Sequence, residues 1–306
     1  MPFNRDFDVD YERVDQVSPL IRRVVAENPG PFTFTGTGTY LVGHGRVAVI
    51  DPGPNQPEHV DALLGALDGE TVTHIFITHT HGDHSPAAAP LKAATGAPTY
   101  GFGPHPEADR DRPRSGDEPA QEERSDLDFV PDVVTTDGMV IEGDGWTIEA
   151  LHTPGHISNH LCFALAEERA LFTGDHVMGW STSVIPSPDG DLGHYLANLR
   201  RLLDRDDEIY WPTHGPPITD PKPFVQALID HREARTRQIL DRLAAGDERI
   251  EDMVKVLYAD VDPKLHPAAG RSVLAHLVHL TETGRVEADD LPLTVDRRWR
   301  LAGDAR

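Results

Sequence analysis

The feature that most constrains this 306-residue chain is a six-residue stretch, His79-Thr80-His81-Gly82-Asp83-His84, which follows the continuous apolar run Ile75, Phe76 and Ile77. Four side chains able to bind a metal stand where a buried strand gives way to a helix-forming segment. Residues i and i+2 of an extended segment share a side, so His79 and His81 can grip one ion from one direction. The chain then turns, and Asp83 and His84 swing toward a second position. Ser85 is expected to cap the helix that follows, through about Ala94.

Three more candidate ligands sit in turns marked by Gly or Pro. They are His156 in His152-Thr153-Pro154-Gly155-His156, Asp175 in Thr173-Gly174-Asp175, and His214 in Pro212-Thr213-His214-Gly215. The two halves of the chain rhyme. Ile50-Asp51 and Gly174-Asp175 each close a strand on an aspartate, and Thr78-His79 and Thr213-His214 each close one on a histidine. This repetition hints at a duplicated strand–helix layout with the histidine-bearing loops on one edge of two sheets. Imidazole and carboxylate form a ligand set for Zn²⁺, and they also suit Fe or Mn. Five histidines and two aspartates suffice for two ions if one carboxylate bridges.

Composition bounds the remaining possibilities. The single cysteine, Cys162, excludes an intramolecular disulfide framework and Cys-based zinc sites. A net charge of −23 opposes binding of a nucleic acid through a broad basic face, and no duplex DNA partner is expected. No apolar run approaches the roughly 20 residues of a membrane helix, and Met1–Asp6 is polar, so no membrane partner and a cytoplasmic location are expected; a homo-oligomer is compatible with all of this. Residues 231–306 carry 13 Lys and Arg against 14 Asp and Glu, while the first 230 residues hold nearly all of the negative charge. That step divides the chain into a catalytic domain over 1–230 and a C-terminal domain over 231–306. The stretch 104–132 reads as a long, mobile, acidic surface insertion. Helices over 223–245, 250–259 and 268–283, then a hairpin from 286–288 and 293–300, form a winged-helix-like pattern. Its near-zero charge favours packing or substrate capping over DNA binding.

Thr78-His79-Thr80-His81-Gly82-Asp83-His84 resembles the signature of the metallo-β-lactamase fold superfamily. The resemblance implies an α/β fold, an αββα sandwich with the site at one edge of the paired sheets. It assigns His79, His81 and His156 to a first metal position, Asp83, His84 and His214 to a second, and Asp175 to the bridge. Asp51 matches an aspartate behind the ligands that orients a ligating histidine or the site water. Asn28-Pro29-Gly30-Pro31, Gly36-Thr37-Gly38-Thr39-Tyr40-Leu41-Val42, His231-Arg232-Glu233-Ala234-Arg235 and the run from Met253 to Leu277 look like the β-lactamase-like protein 2 family. The match breaks at the acidic insertion, and Gly38 stands where that family usually has Asn.

Two ions held roughly 3.5–4 Å apart lower the pKa of a shared water toward neutrality and place a hydroxide beside a Lewis acid. Asp83 and Asp175 are therefore the expected catalytic carboxylates. The ligands do not choose among phosphodiester, thioester, lactone and amide, because the pocket supplies that choice. The family resemblance favours endoribonuclease-like hydrolysis of single-stranded RNA, with Arg232, Arg235, Lys255, Lys264 and Arg271 as candidates to hold the strand. The alternative is a glyoxalase II-like thioesterase or lactonase on a small molecule, which suits an acidic protein. A mononuclear iron persulfide dioxygenase on His79, His156 and Asp175 ranks below both. Trp180 and Tyr195, after the Asp175 strand, and His160, four residues past His156, are candidate substrate-pocket residues.

Overall fold

In the computed structural model, which describes residues 1–105 and 125–303, alternate residues of one strand face different cores. Along Leu161–Leu165, Leu161, Phe163 and Leu165 enter one apolar cluster while Cys162 and Ala164 enter another. Tyr40 and Val42 are separated from Leu41 in the same way. Strands that are apolar on both sides need a packing layer on each face of their sheet.

Two sheets meet this need. The first holds β1 (Asp15–Gln16), β2 (Ile21–Val25), β3 (Gly38–Val42), β4 (Arg46–Ile50), β5 (Thr71–Phe76), β6 (Thr99–Gly101) and β7 (Val133–Val134) in sequence order. The second holds β8 (Val140–Glu142), β9 (Thr147–His152), β10 (Leu161–Leu165), β11 (Ala170–Gly174) and β12 (Ile209–Pro212), ordered β12-β11-β10-β9-β8. Tyr40, Phe76, Phe163 and Phe172 fill the space between the sheets. Helices α1 (Pro57–Ala66) and α2 (Ala88–Thr95) cover the outer face of the first sheet through Leu63, Ala88 and Leu91. Helices α3 (Leu192–Leu203) and α4 (Pro221–Ala244) cover the second. The result is a four-layer αββα sandwich.

The strand pairing explains the rhyme in the sequence. β4 and β5 are parallel neighbours, as are β11 and β12. Parallel neighbours end at the same edge, so Asp51 lies beside Thr78-His79 and Asp175 beside Thr213-His214. Backbone hydrogen bonds join the two edges: Leu161 N–H donates to Thr78 O at 2.7 Å, and Gly38 N–H donates to Thr213 O at 2.8 Å.

Helices α5 (Ile250–Leu257) and α6 (His266–Glu282) and the hairpin β13 (Val286–Ala288) with β14 (Trp299–Leu301) enclose a separate core of Met253, Val273, Leu277 and Trp299. The expected domain boundary at 230/231 falls inside α4, which is continuous. Phe224, Val225 and Leu228 of that helix pack in the sandwich, and Ile239 and Leu243 pack in the C-terminal core.

One local expectation needs correction. Ser85 caps no helix: α2 begins three residues later without a side-chain cap, and Ser85 Oγ donates to Asp126 Oδ2 at 2.7 Å. The centre of the acidic insertion, residues 106–124, lies outside the described residues. Its flanks are pinned to the domain. Asp126 N–H donates to Thr80 O at 2.8 Å, and Asp132 accepts from Lys92 and from Thr99. Among the described residues no helix is long and apolar enough to cross a membrane.

Candidate metal centre

The seven side chains singled out in the sequence converge at the shared edge of the sheets, and none is more than 9% exposed. His79 Nε2 and His156 Nε2 lie 2.9 and 3.0 Å from His81 Nδ1. A tetrahedral ion about 2.0–2.1 Å from each nitrogen spaces its ligands by about 3.3 Å, so three ring nitrogens at such separations form one coordination face. Beside it, Asp83 Oδ2 stands 3.0 Å from His214 Nε2 and 3.5 Å from His84 Nε2. Asp175 spans the two groups. Its Oδ1 is 3.6 Å from His84 Nε2 and 3.4 Å from His214 Nε2, and its Oδ2 is 3.8 Å from His156 Nε2.

The ring orientations are fixed from behind. Asp51 Oδ2 accepts from His84 Nδ1 at 2.8 Å, and Gly36 O accepts from His214 Nδ1 at 3.1 Å. Val184 O accepts from His156 Nδ1, and Thr78 Oγ1 is 3.0 Å from His79 Nδ1. With Nδ1 bonded outward, each of these four rings turns Nε2 inward as a lone-pair donor. Asp51 itself adopts a left-handed backbone conformation, φ +47°, which Asp tolerates better than most residues. Its carboxylate accepts from Thr78 N, Thr78 Oγ1 and Thr213 Oγ1 at 2.8, 2.7 and 3.1 Å, and its carbonyl accepts from Thr39 Oγ1 at 2.7 Å.

Charge divides along the same line. Burial, reinforced by neighbouring imidazoles, holds His79 far below the ordinary imidazole range and His81 at about 3. Burial also lowers His156. It pushes His84 and His214 down too, but the carboxylates of Asp83 and Asp175 overcome it and raise both. Burial opposes ionisation of these two carboxyls, yet the imidazoles of His84 and His214 keep both below the usual carboxylate range. The site is thus three neutral nitrogen donors next to an anionic pair. His84 Nε2 and Asp175 Oδ1 are buried with no hydrogen-bond partner. Two buried polar atoms left unpaired at this distance are suited to a shared cation, and the surrounding His and Asp side chains form groups of three that could hold a metal ion.

The candidate pocket residues fare differently. His160 is fully buried. Its Nε2 accepts from Asp175 N–H at 3.1 Å and its Nδ1 is 2.9 Å from Thr153 Oγ1, so neither nitrogen is free for a substrate; the ring supports the Asp175 turn. Tyr195 is also fully buried, against His176 and beneath the Arg232 guanidinium, and is part of the core. Trp180 keeps partial exposure, stacked on Phe34 at 4.8 Å beside Gly215, next to His214. Of the cations expected to hold RNA, Arg232 is 5% exposed and donates to Ser183 O, and Arg235 donates to Leu257 O at 3.1 Å. Lys255 pairs with Glu251 and Asp252. Thr78, Thr213 and Thr37 were not singled out. The first two bind Asp51, and Thr37 Oγ1 donates to Asp83 Oδ2 at 3.3 Å. The signal for the first pair was the threonine that precedes His79 and His214 at both strand ends.

Comparison with known proteins agrees with this geometry. Residues 33–214 match the metallo-beta-lactamase superfamily, and residues 250–299 match the beta-lactamase associated winged helix domain. An atrochrysone carboxyl ACP thioesterase of Aspergillus chevalieri is 34% identical, over 95% of this chain and 90% of its own. The lactamase-like protein adaB of Aspergillus niger is 30% identical, over 95% and 88%. A crystal structure of a beta-lactamase domain protein from Burkholderia ambifaria covers 97% of this chain and 96% of its own, with a TM-score of 0.78 at 19% identity, and so shares its fold. With more than half of its residues inside one family's pattern and relatives matching it almost end to end, the chain belongs to the metallo-beta-lactamase superfamily.

Proposed function

We propose that the protein hydrolyses an acyl thioester at a two-metal site, the alternative set beside RNA cleavage in the sequence analysis. The observation that carries this reading is the 34% identity, over 95% of the chain, to a protein named as an ACP thioesterase. The charge supports it. A thioester needs no polyanion-binding groove, the chain carries −23, and three of the five cations considered for RNA are engaged within the protein.

In this reading His79, His81 and His156 would hold one divalent ion and Asp83, His84 and His214 the other, with the Asp175 carboxylate available to both. Zinc fits this nitrogen-rich set, as do iron and manganese. Two such cations would supply Lewis-acid polarisation of the thioester carbonyl and a water acidic enough to attack it near neutral pH. The protein's own groups do the remaining work. Asp51 keeps a proton on His84 Nδ1 and off Nε2. His160 holds the backbone N–H of Asp175 and so fixes the direction of its carboxylate. Asp83 is the carboxylate that carries the proton from the attacking water toward the departing thiolate as the carbon–sulfur bond breaks.

The test is a parallel assay of the metal-loaded protein on an acyl thioester of N-acetylcysteamine, a lactone and single-stranded RNA. Thiol release that chelation abolishes is the expected result. Cleavage of RNA without thiol release overturns the reading. Salt separates the two as well. Hydrolysis of a neutral thioester should be nearly indifferent to it, whereas RNA affinity falls with a log–log slope of about −0.7 per phosphate neutralised.

A further inference from the structure

Away from the seven residues, the C-terminal unit contains a cavity of about 920 Å³ between α5, the first turns of α6 and the segment before β14. That lies within the range of about 300–1,000 Å³ typical of small-molecule sites. Its floor is apolar, from Ile250, Val254, Leu274 and Leu293. Pro188, Pro263, Pro267 and Pro292 stiffen its rim, each with φ fixed by its ring.

Three observations say what enters. First, the lining is cationic in a chain of net −23. Glu251 is neutralised by Lys255 at 3.0 Å, which leaves Asp296 as the one free acid against Arg249 and Arg271, and neither arginine has a carboxylate partner among the described residues. Second, a polar ring atom at the cavity is unspent: His266 Nε2 is buried without a hydrogen-bond partner. Third, Gly270 keeps the space open. It sits inside α6, where glycine weakens a helix. A Cβ built on it meets only Ile250 Cγ2, at 3.5 Å, an ordinary contact. A larger side chain there would strengthen the helix and fill the cavity.

We propose that this cavity is a second ligand site, distinct from the metal centre, and that it takes a small amphiphilic carboxylate with an apolar body on the Ile250–Leu274 floor and its anionic head at Arg249 and Arg271. The segment 183–191 connects the two sites. Val184 O accepts from His156 Nδ1, Asp189 Oδ2 accepts from Ser158 N–H, and Ser187 and Pro188 between them line the cavity. The cavity therefore borders the segment that orients His156. The proposal rests on the thioesterase reading only in the choice of a carboxylic acid as probe, since that is the class thioester hydrolysis releases.

The experiment is calorimetric titration of the full-length, metal-loaded protein with 2-naphthoate and with its neutral amide. Saturable binding of the acid is expected, at least tenfold tighter than the amide. Gly270→Leu, checked to have an unchanged or higher melting temperature, should weaken both probes at least tenfold. Exchange of Arg249 and Arg271 for alanine should remove the advantage of the acid and leave the amide unaffected. Absence of binding, or naphthoate binding that survives Gly270→Leu and so belongs to the metal centre, overturns the proposal. The outcome is separable from catalysis. Thioester turnover without this binding overturns the second site alone, and this binding without turnover supports the site and overturns the thioesterase reading.

Discussion

Asp51 Oδ2 and His84 Nδ1 are 2.8 Å apart, both essentially inaccessible to solvent, in a pair that ties the end of one strand to the loop after its parallel neighbour. The carboxylate acts on the metal positions from behind the rings, directly at His84 and at one remove, through Thr78 Oγ1, at His79. Replacing it should change affinity without removing a ligand. Asp51→Asn keeps the size and the tolerance of a left-handed backbone but loses the charge that holds the proton on Nδ1. We expect the position formed by Asp83, His84 and His214 to lose about 10- to 100-fold in metal affinity and the three-histidine position to lose less. Chelator competition with metal counted per chain checks this. Equal losses at both positions would contradict it.

Asp175 should behave otherwise, since its two oxygens face different groups of ligands. Asp175→Ala should lower occupancy of both positions and abolish turnover. His81→Ala should deplete only the three-histidine group, and His214→Ala only the other. Elemental analysis of the three variants gives the stoichiometries. A full complement of metal in Asp175→Ala would remove it from the bridging role.

How far the sequence reaches is clear from these residues. The ligand loops were legible because the chemistry is dense, with four donors in six residues, and because each remaining donor closes a strand at a Gly or Pro turn. The sandwich was legible through the resemblance that residues 78–84 carry, with the paired strand endings hinting at two sheets. His160 was not: a histidine four residues past His156 reads the same whether its ring faces a substrate or the backbone of Asp175, and only the β9–β10 pairing decides. Arg232 was not legible either. Its burial depends on a contact with Ser183, 49 residues away in the chain. The domain boundary was drawn from a step in charge, which reports on surfaces, whereas α4 continues through it because each half has its own core to enter.

Acid sensitivity should have a source remote from the metals. His276 is fully buried, with Nδ1 2.9 Å from Thr236 Oγ1 and Nε2 without a partner. Burial, and then the charges of Arg232 and Arg235, hold it well below the ordinary 6.5. The unfolded chain therefore binds this proton before the folded one does. The associated stability is complete above about pH 6.5 and is lost as pH falls below it, at up to about 1.4 kcal/mol per unit for one proton. His276→Asn should be less stable than the parent at pH 7 and should lose less on going to pH 5. Urea unfolding of both proteins in excess chelator, so that metal loading does not vary, measures the difference in slope. Parallel curves would mean that His276 does not titrate in this way.

Metal removal should register as a loss of folding stability before any assay of turnover. The proposed ligands come from loops after β5, β9, β11 and β12, in both sheets, so an ion held by them would tie the layers together in the folded state only. An ion present at 100 times its dissociation constant stabilises by about 2.7 kcal/mol. For two ions, and at about 2–4 °C per kcal/mol for a domain of this size, chelation should lower the melting temperature by about 10–20 °C. Readdition of zinc, iron or manganese one at a time should restore it to different extents and so rank the metals. Asp175→Ala, which lacks the carboxylate common to both positions, should show little of this shift. If the parent and Asp175→Ala respond equally to chelator and metal, the ions act elsewhere on the surface and the seven residues are not their ligands.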